Sequence, residues 1–205
     1  MNKSTTTVFV VDDDAPVRDA LRLLLRSTGH SVESYASAQE FLDAYADDRP
    51  GCLVLDVRMP GMNGLDLQDR LNERRAILPI IFITGHGDVP MAVEALQAGA
   101  MDFLQKPFRD ADLLDRIAAA LEKDAANRRD LLEIGHIAQR FEELTPRERA
   151  VMELIVEGKA NKVIAGDLGI SQRTVEIHRA RVMQKTQAGS LAHLVRMYLR
   201  LQESA

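Results

Sequence analysis

The chain has 205 residues, 46% hydrophobic and 28% charged, with a formal net charge of −5. That composition excludes a disordered or low-complexity chain and leaves room for two domains. No apolar run approaches the roughly 20 residues of a membrane span, and the polar Met1–Thr7 stretch does not read as a signal peptide, so a cytoplasmic protein with no membrane partner is expected.

In chain order, four short apolar runs each end on a residue suited to phosphate chemistry. Val8-Phe9-Val10-Val11 leads into Asp12 and Asp13, and Leu53-Val54-Leu55 into Asp56. Ile80-Ile81-Phe82-Ile83 leads into Thr84, and Phe103-Leu104 reaches Lys106 just before Pro107. Runs this short and apolar on both faces read as buried parallel strands. Helix-period stretches separate them at about 15–27, 38–47, 64–74, 88–98 and 110–122, each followed by a turn or breaker such as Thr28-Gly29-His30 or Ala98-Gly99-Ala100. The alternation predicts a doubly wound α/β domain over residues 1–122. Cys52, the single cysteine, has no partner for an internal disulfide and reads as a packed strand residue rather than a nucleophile.

Residues 123–143 are rich in charge and helix formers, with Leu131, Ile134, Ala138 and Phe141 at helical spacing. They read as a helical linker whose middle, Asp124 to Arg128, lacks apolar anchors and is expected to bend or fray. From 144 to 205 an all-helical module of four helices is predicted, at about 146–157, 161–168, 172–186 and 190–202. Thr145-Pro146-Arg147-Glu148 carries a capping box, Gly158 and Gly169 suit left-handed helix ends, and Ser171 can cap the third helix. Charge is uneven between the halves: residues 1–124 hold 13 Lys/Arg against 21 Asp/Glu, and residues 125–205 hold 13 against 10. An acidic module joined to one that meets a polyanion is the expectation.

In an open parallel sheet the carboxyl ends of the strands line one crevice. The fold therefore gathers three carboxylates, a hydroxyl and an ammonium. Clustered carboxylates repel unless a cation joins them, and Mg²⁺, a hard ion content with few carboxylates plus water and phosphate oxygens, is the natural one. Asp56, at the end of the central strand, is best placed as a nucleophile on phosphorus, with Thr84 and Lys106 for the remaining phosphoryl oxygens. Any one of these residues alone reads as an ordinary helix cap or turn; their joint order carries the inference.

Val11-Asp12-Asp13-Asp14, Leu55-Asp56-Val57-Arg58-Met59-Pro60-Gly61, Ile83-Thr84-Gly85 and Lys106-Pro107-Phe108 resemble the receiver domain of bacterial two-component response regulators. Thr84-Gly85-His86-Gly87-Asp88-Val89-Pro90 is similar to the FixJ-type branch. The resemblance implies a flavodoxin-like sheet with strand order 2-1-3-4-5, and a sensor histidine kinase as the phosphoryl donor to Asp56. It further implies Mg²⁺ on Asp13, Asp56 and the Arg58 carbonyl, with Asp12 reached through water. By the same resemblance Thr84 and Phe103 would form the switch pair, phenylalanine standing where many receivers have tyrosine. A phosphatase with an aspartate nucleophile usually carries a second Asp two residues on. Arg58 occupies that position here, so only slow self-hydrolysis is expected, not turnover of free substrates.

In the second module, Asn161-Lys162 to Ser171 reads as a short helix and glycine turn, followed by a basic helix from Arg173 to Lys185. Such a pair suits a helix-turn-helix, although a solvated helix of a four-helix bundle shows the same periodicity. Leu144-Thr145-Pro146-Arg147-Glu148, Asn161-Lys162-x-Ile164-Ala165 and Thr174-Val175-x-x-His178-x-x-x-Val182-x-x-Lys185 resemble the LuxR-type DNA-binding domain. Lys162, Arg173, Thr174, Arg179 and Lys185 are the candidate DNA-phosphate contacts. Glu176, Ile177, Ala180 and Arg181 are the candidate base readers. Together the two resemblances imply a transcriptional regulator, expected to be an activator, that dimerises on phosphorylation, binds an inverted-repeat promoter site in double-stranded DNA and meets RNA polymerase.

Overall fold

The computed structural model describes residues 6–85 and 89–203. His86-Gly87-Asp88, part of the segment similar to the FixJ-type branch, lies outside the described residues, as does Met1 to Thr5. Five parallel strands form one sheet in the order β2-β1-β3-β4-β5. They are β1 (Thr7–Val11), β2 (Ser31–Tyr35), β3 (Gly51–Asp56), β4 (Ile80–Thr84) and β5 (Asp102–Gln105). Every residue of β1, β3 and β4 is buried, whereas the edge strands β2 and β5 each bury one. Continuous apolar runs in the sequence thus mark strands covered on both faces.

Alternation along these strands divides the core in two. Phe9, Val11, Leu53, Leu55 and Phe82 face α2 (Ala38–Ala44), α3 (Gly64–Glu73) and α4 (Val89–Gln97), meeting Phe41, Leu67, Leu71 and Ala95. Val8, Val10, Cys52, Val54, Ile81 and Ile83 face α1 (Ala15–Ser27) and the start of α5 (Asp110–Glu142), meeting Leu21, Leu25, Leu113 and Ile117. Burying each large apolar side chain contributes roughly 1.5–3 kcal/mol.

Two elements differ from expectation. The second helix stops at Ala44 because Tyr45 turns extended (ψ 130°) and enters the core, stacked on Phe41 at 5.0 Å and edge-on to Phe9 at 5.5 Å. The predicted weak point at Asp124 to Arg128 is instead helical and held by polar contacts. Asp124 is buried, and its carboxylate accepts the Gly51 N–H at 3.0 Å and Arg128 Nε at 2.9 Å. The Arg128 guanidinium also donates to the carbonyls of Asp48 (2.9 Å) and Arg49 (2.6 Å). Missing apolar anchors are replaced by a buried ion pair that fills the open backbone positions ahead of β3. The chain divides into two compact units at Arg128/Arg129.

In the second unit, α6 (Pro146–Val156), α7 (Asn161–Leu168), α8 (Gln172–Thr186) and α9 (Leu191–Glu203) pack with Ile137 and Phe141 of α5. Val151, Met152, Ile155, Ile164, Val175, Val182, Leu194 and Met197 form the core. Gly169, at φ 64°, closes α7, and Ser171 caps α8 by accepting the Thr174 N–H. At the head of α6 the Thr145 hydroxyl accepts the Glu148 N–H while the Glu148 carboxylate accepts the Thr145 N–H, a complete capping box.

Two substitutions test these contacts. A methyl group on Gly64 lies 2.4 Å from the Asp56 carbonyl oxygen, so Gly64→Ala must push α3 from the sheet; a loss of about 1–3 kcal/mol is expected in denaturant titration. Lys185 and the Thr145 amide hold the Glu148 carboxyl down to about 2. Because this value lies below that of the unfolded chain, its stabilisation is complete above about pH 4.5 and is lost as pH falls toward 2. Glu148→Gln should cost about 1–3 kcal/mol at pH 7, with thermal melts of variant and wild type converging across that acid range.

Candidate phosphoryl site and nucleic-acid surface

Asp12 and Asp13 follow β1 directly, Asp56 and Thr84 are the last residues of β3 and β4, and Lys106 follows β5. Register places these ends side by side: Val11 opposite Leu55, Asp56 opposite Ile83, and Thr84 opposite Gln105. Strand order reverses between β1 and β3, the position where open α/β sheets open a crevice.

Lys106 closes the cluster. Its ammonium donates to Asp12 Oδ2 at 2.7 Å and to Asp56 Oδ1 at 2.9 Å, bridging the ends of the two strands. The second oxygen of each carboxylate meets a main-chain N–H: Asp14 donates to Asp12 Oδ1 at 2.9 Å, and Arg58 to Asp56 Oδ2 at 2.8 Å. Asp12 and Asp56 are both buried. Burial pushes the Asp56 carboxyl above its ordinary range, with Asp12 adding repulsion, against the pull of Lys106 and the Arg58 amide. Burial opposes the charge on Lys106, yet its bonds to Asp12 and Asp56 prevail and raise its pKa.

The remaining members sit around this core. Thr84 is buried beside Asp56, with its carbonyl accepting the Lys106 N–H at 2.7 Å. Asp13 is exposed and lines, with Arg58, Met59, Asn63 and Met91, an open cavity of about 490 Å³. Phe103 is half-buried, its ring 6.4 Å from that of Phe82. The Lys106–Pro107 peptide is cis. Arg18 of α1 donates to the Asp12 carbonyl at 2.7 Å, a support that the sequence does not signal because an arginine on an exposed helix turn carries no motif. Burial pushes the Cys52 thiol up to about 12, which removes it as a nucleophile.

Among the described residues, no three His, Cys, Asp or Glu side chains converge into a metal-binding group of their own. Asp12 and Asp56 are joined through Lys106 instead. The candidate donor side chains are nonetheless all carboxylates: two buried and an exposed one at the rim. That set suits a small hard cation and offers nothing to a soft one. Two buried carboxylates that share a single ammonium favour additional positive charge there.

On the second unit, Arg173, Glu176, Ile177, Ala180, Arg181 and Gln184 are exposed along one stripe of α8, while Val175 and Val182 are buried beneath it. Lys162 is exposed on α7, and Arg179 is partly buried. The Thr174 hydroxyl pairs with that of Ser171 at 2.8 Å. His178 is part-buried, and its Nδ1 has no hydrogen-bond partner among the described residues. Lys185 stands apart from the other cations: its ammonium donates to Glu148 Oε2 at 2.7 Å and to the Glu143 carbonyl at 3.1 Å.

Residues 8–118 match the response regulator receiver domain, and residues 142–198 match the bacterial regulatory proteins of the luxR family. The chain is 50% identical over 93% of its length to nodulation protein W of Bradyrhizobium diazoefficiens, covering 84% of that protein. It is 50% identical over 94% of its length to the transcriptional regulatory protein FixJ of Azorhizobium caulinodans, covering 91% of it. Among solved structures, the response regulator StyR matches with TM-score 0.80 and 47% identity over 96% of this chain and 99% of that one. Full-length FixJ from B. japonicum matches with TM-score 0.58 and 44% identity over 98% and 99%. Receiver domains in general bind Mg²⁺ at this acidic pocket and take phosphoryl groups from histidine kinases, and domains of the luxR family bind DNA. No described helix is long and apolar enough to cross a membrane. With both domain types in order along the chain, this protein belongs to the FixJ-like response regulators, transcriptional regulators of two-component systems built from a receiver and a LuxR-type DNA-binding domain.

Proposed function

We propose that Asp56 is the phosphoryl acceptor of this chain and that its modification turns on DNA binding by the second unit. The observation that carries the reading is the Lys106 ammonium bridging Asp12 and Asp56 at the ends of adjacent strands. An oxygen of Asp56 attacks phosphorus of a sensor kinase's phosphohistidine; the P–N bond breaks and its electron pair leaves with the imidazole. Lys106 then moves from neutralising a carboxylate to neutralising a phosphoryl oxygen, and the Thr84 hydroxyl donates to another. Asp12, Asp13, Asp56 and the Arg58 carbonyl would hold Mg²⁺, which would supply charge neutralisation when bound. The protein releases phosphate only by slow hydrolysis of its own aspartyl phosphate.

As Thr84 turns toward the phosphoryl group, Phe103 moves inward behind it and reshapes the face made by α4, β5 and α5. That face becomes a dimer interface. Two copies of α8 then reach successive major grooves of an inverted repeat in double-stranded promoter DNA. Lys162, Arg173, Thr174 and Arg179 contact DNA phosphates, and Glu176, Ile177, Ala180 and Arg181 meet base edges. Bound protein recruits RNA polymerase as an activator. A shift from 1:99 to 99:1 needs roughly 5.5 kcal/mol of preference, so dimerisation and DNA share the load with the phosphoryl group.

Sedimentation tests the switch. With Mg²⁺, beryllium fluoride should convert monomer to dimer in the wild type and leave Asp56→Asn monomeric; dimer formation by that variant overturns the role of Asp56. A stability measurement tests the electrostatics. Burial raises the Asp56 pKa, so its ionisation weakens the fold progressively as pH rises from the unfolded carboxylate value through the folded one. Asp56→Asn, in EDTA at pH 7, should raise the receiver's melting temperature, and the difference from wild type should vanish in acid, where Asp56 is protonated.

A further inference from the structure

Lys185 poses a question that its place in the sequence does not. It lies in the last turn of α8, four residues beyond Arg181, where a cation reads as one more DNA-phosphate contact. Its side chain does something else. The ammonium donates at 2.7 Å to Glu148 Oε2 and at 3.1 Å to the Glu143 carbonyl, which uses two of its three protons inside the unit. Glu148 is 2% exposed, and the same Oε2 accepts the Thr145 N–H at 3.0 Å. One carboxylate oxygen therefore joins the capping box of α6 to the end of α8.

The neighbouring contacts reinforce this junction. Arg149 donates to the Phe141 carbonyl at 2.9 Å, tying α6 to the end of α5, and Arg147 donates to the Leu168 carbonyl at the end of α7. In the turn of α8 that carries Lys185, Val182 and Thr186 are fully buried. The exposed stripe from Arg173 to Gln184 is thus set by a helix seated on its inner residues at Val175 and Val182 and pinned at its far end by an ion pair. A buried carboxylate left without its ammonium is costly. The pair consequently resists both tilting of α8 and release of Lys185 to a phosphate.

We infer that Lys185 does not contact DNA but, through Glu148, is a positioning residue that fixes the angle at which α8 presents its base-reading stripe. The inference rests on the DNA-binding reading above and replaces the phosphate contact that the sequence pattern suggests for Lys185. Positioning and phosphate contact differ in what they leave behind. A lost phosphate contact weakens specific and non-specific binding alike and lowers the salt slope. A helix set at the wrong angle keeps its electrostatic attraction and loses discrimination between sequences.

The test uses the full chain with Mg²⁺ and beryllium fluoride. Its probes are a duplex selected by the wild type from a randomised pool and an unrelated duplex of equal length. Affinities are measured across a salt series for wild type, Lys185→Met, Lys185→Arg, Glu148→Gln, the Lys185→Met/Glu148→Gln double variant, and Lys162→Ala as the phosphate-contact control. For Lys185→Met we expect the ratio of specific to non-specific affinity to fall about tenfold or more, the scale of a lost base contact. Its salt slope should stay at the wild-type value while that of Lys162→Ala drops by about one. Lys185→Arg should restore the ratio, and the double variant should be no worse than either single one. A slope lowered by about one in Lys185→Met, with the ratio intact, overturns the inference and makes Lys185 a phosphate contact. A lower melting temperature with unchanged ratio and slope in the folded variant also overturns it, leaving a structural pair only. Failure of the wild type to select any duplex instead removes the DNA-binding reading, an outcome separate from both.

Discussion

Like-charged carboxylates crowded at the ends of two neighbouring strands are unstable together, and the receiver is organised around that constraint. Asp12 and Asp56 come together because β1 and β3 are adjacent in a parallel sheet, and they are tolerated because Lys106 reaches across from beyond β5. The remaining oxygens are satisfied by main-chain N–H groups rather than by further side chains. Burial still leaves Asp56 short of full compensation. A site with unmet demand for positive charge and for redistribution of negative charge is one that phosphoryl chemistry can alter strongly with few atoms.

The second unit uses ion pairs differently. There the buried carboxylate of Glu148 is fully engaged by a helix cap and by Lys185, and it is held well below its ordinary range. Its role is geometrical: it joins the start of one helix to the end of another. Asp124 and Arg128 do comparable work in the receiver unit, meeting the open backbone groups ahead of β3. In all three places a charged pair in a buried position fixes a join between elements. The cluster around Lys106 differs in having a further carboxylate, Asp13, at the rim of an open cavity.

Particular residues show how far the sequence could be read. Val8 to Val11 and Ile80 to Ile83 announce their strands because a strand covered on both faces has no polar side to show. Thr145 with Glu148, Gly169 and Ser171 announce helix ends because capping is local chemistry, decided within four residues. Tyr45 was less legible: nothing local separates a helix that continues to 47 from one that stops at 44 so that an aromatic ring can stack on Phe41 and Phe9. Asp124 and Arg128 misled for a related reason. Polar residues without apolar neighbours read as solvent-exposed, and their partners, Gly51 and the carbonyls of Asp48 and Arg49, lie some seventy to eighty residues away.

By itself, then, the sequence determined the alternation of strand and helix, the two-module order, and the chemistry-bearing residue at each strand end. These depend on period, capping and residue type, which are properties of short segments. Only the tertiary structure decided which of those residues touch. It placed Lys106 between Asp12 and Asp56, left Asp13 at the rim, brought Arg18 to the Asp12 carbonyl, and gave Lys185 to Glu148 rather than to the exposed stripe. A long flexible cation can serve several partners within reach. Which one it takes is set by the competition between burial, charge and hydration in the folded chain, and no local pattern encodes that outcome.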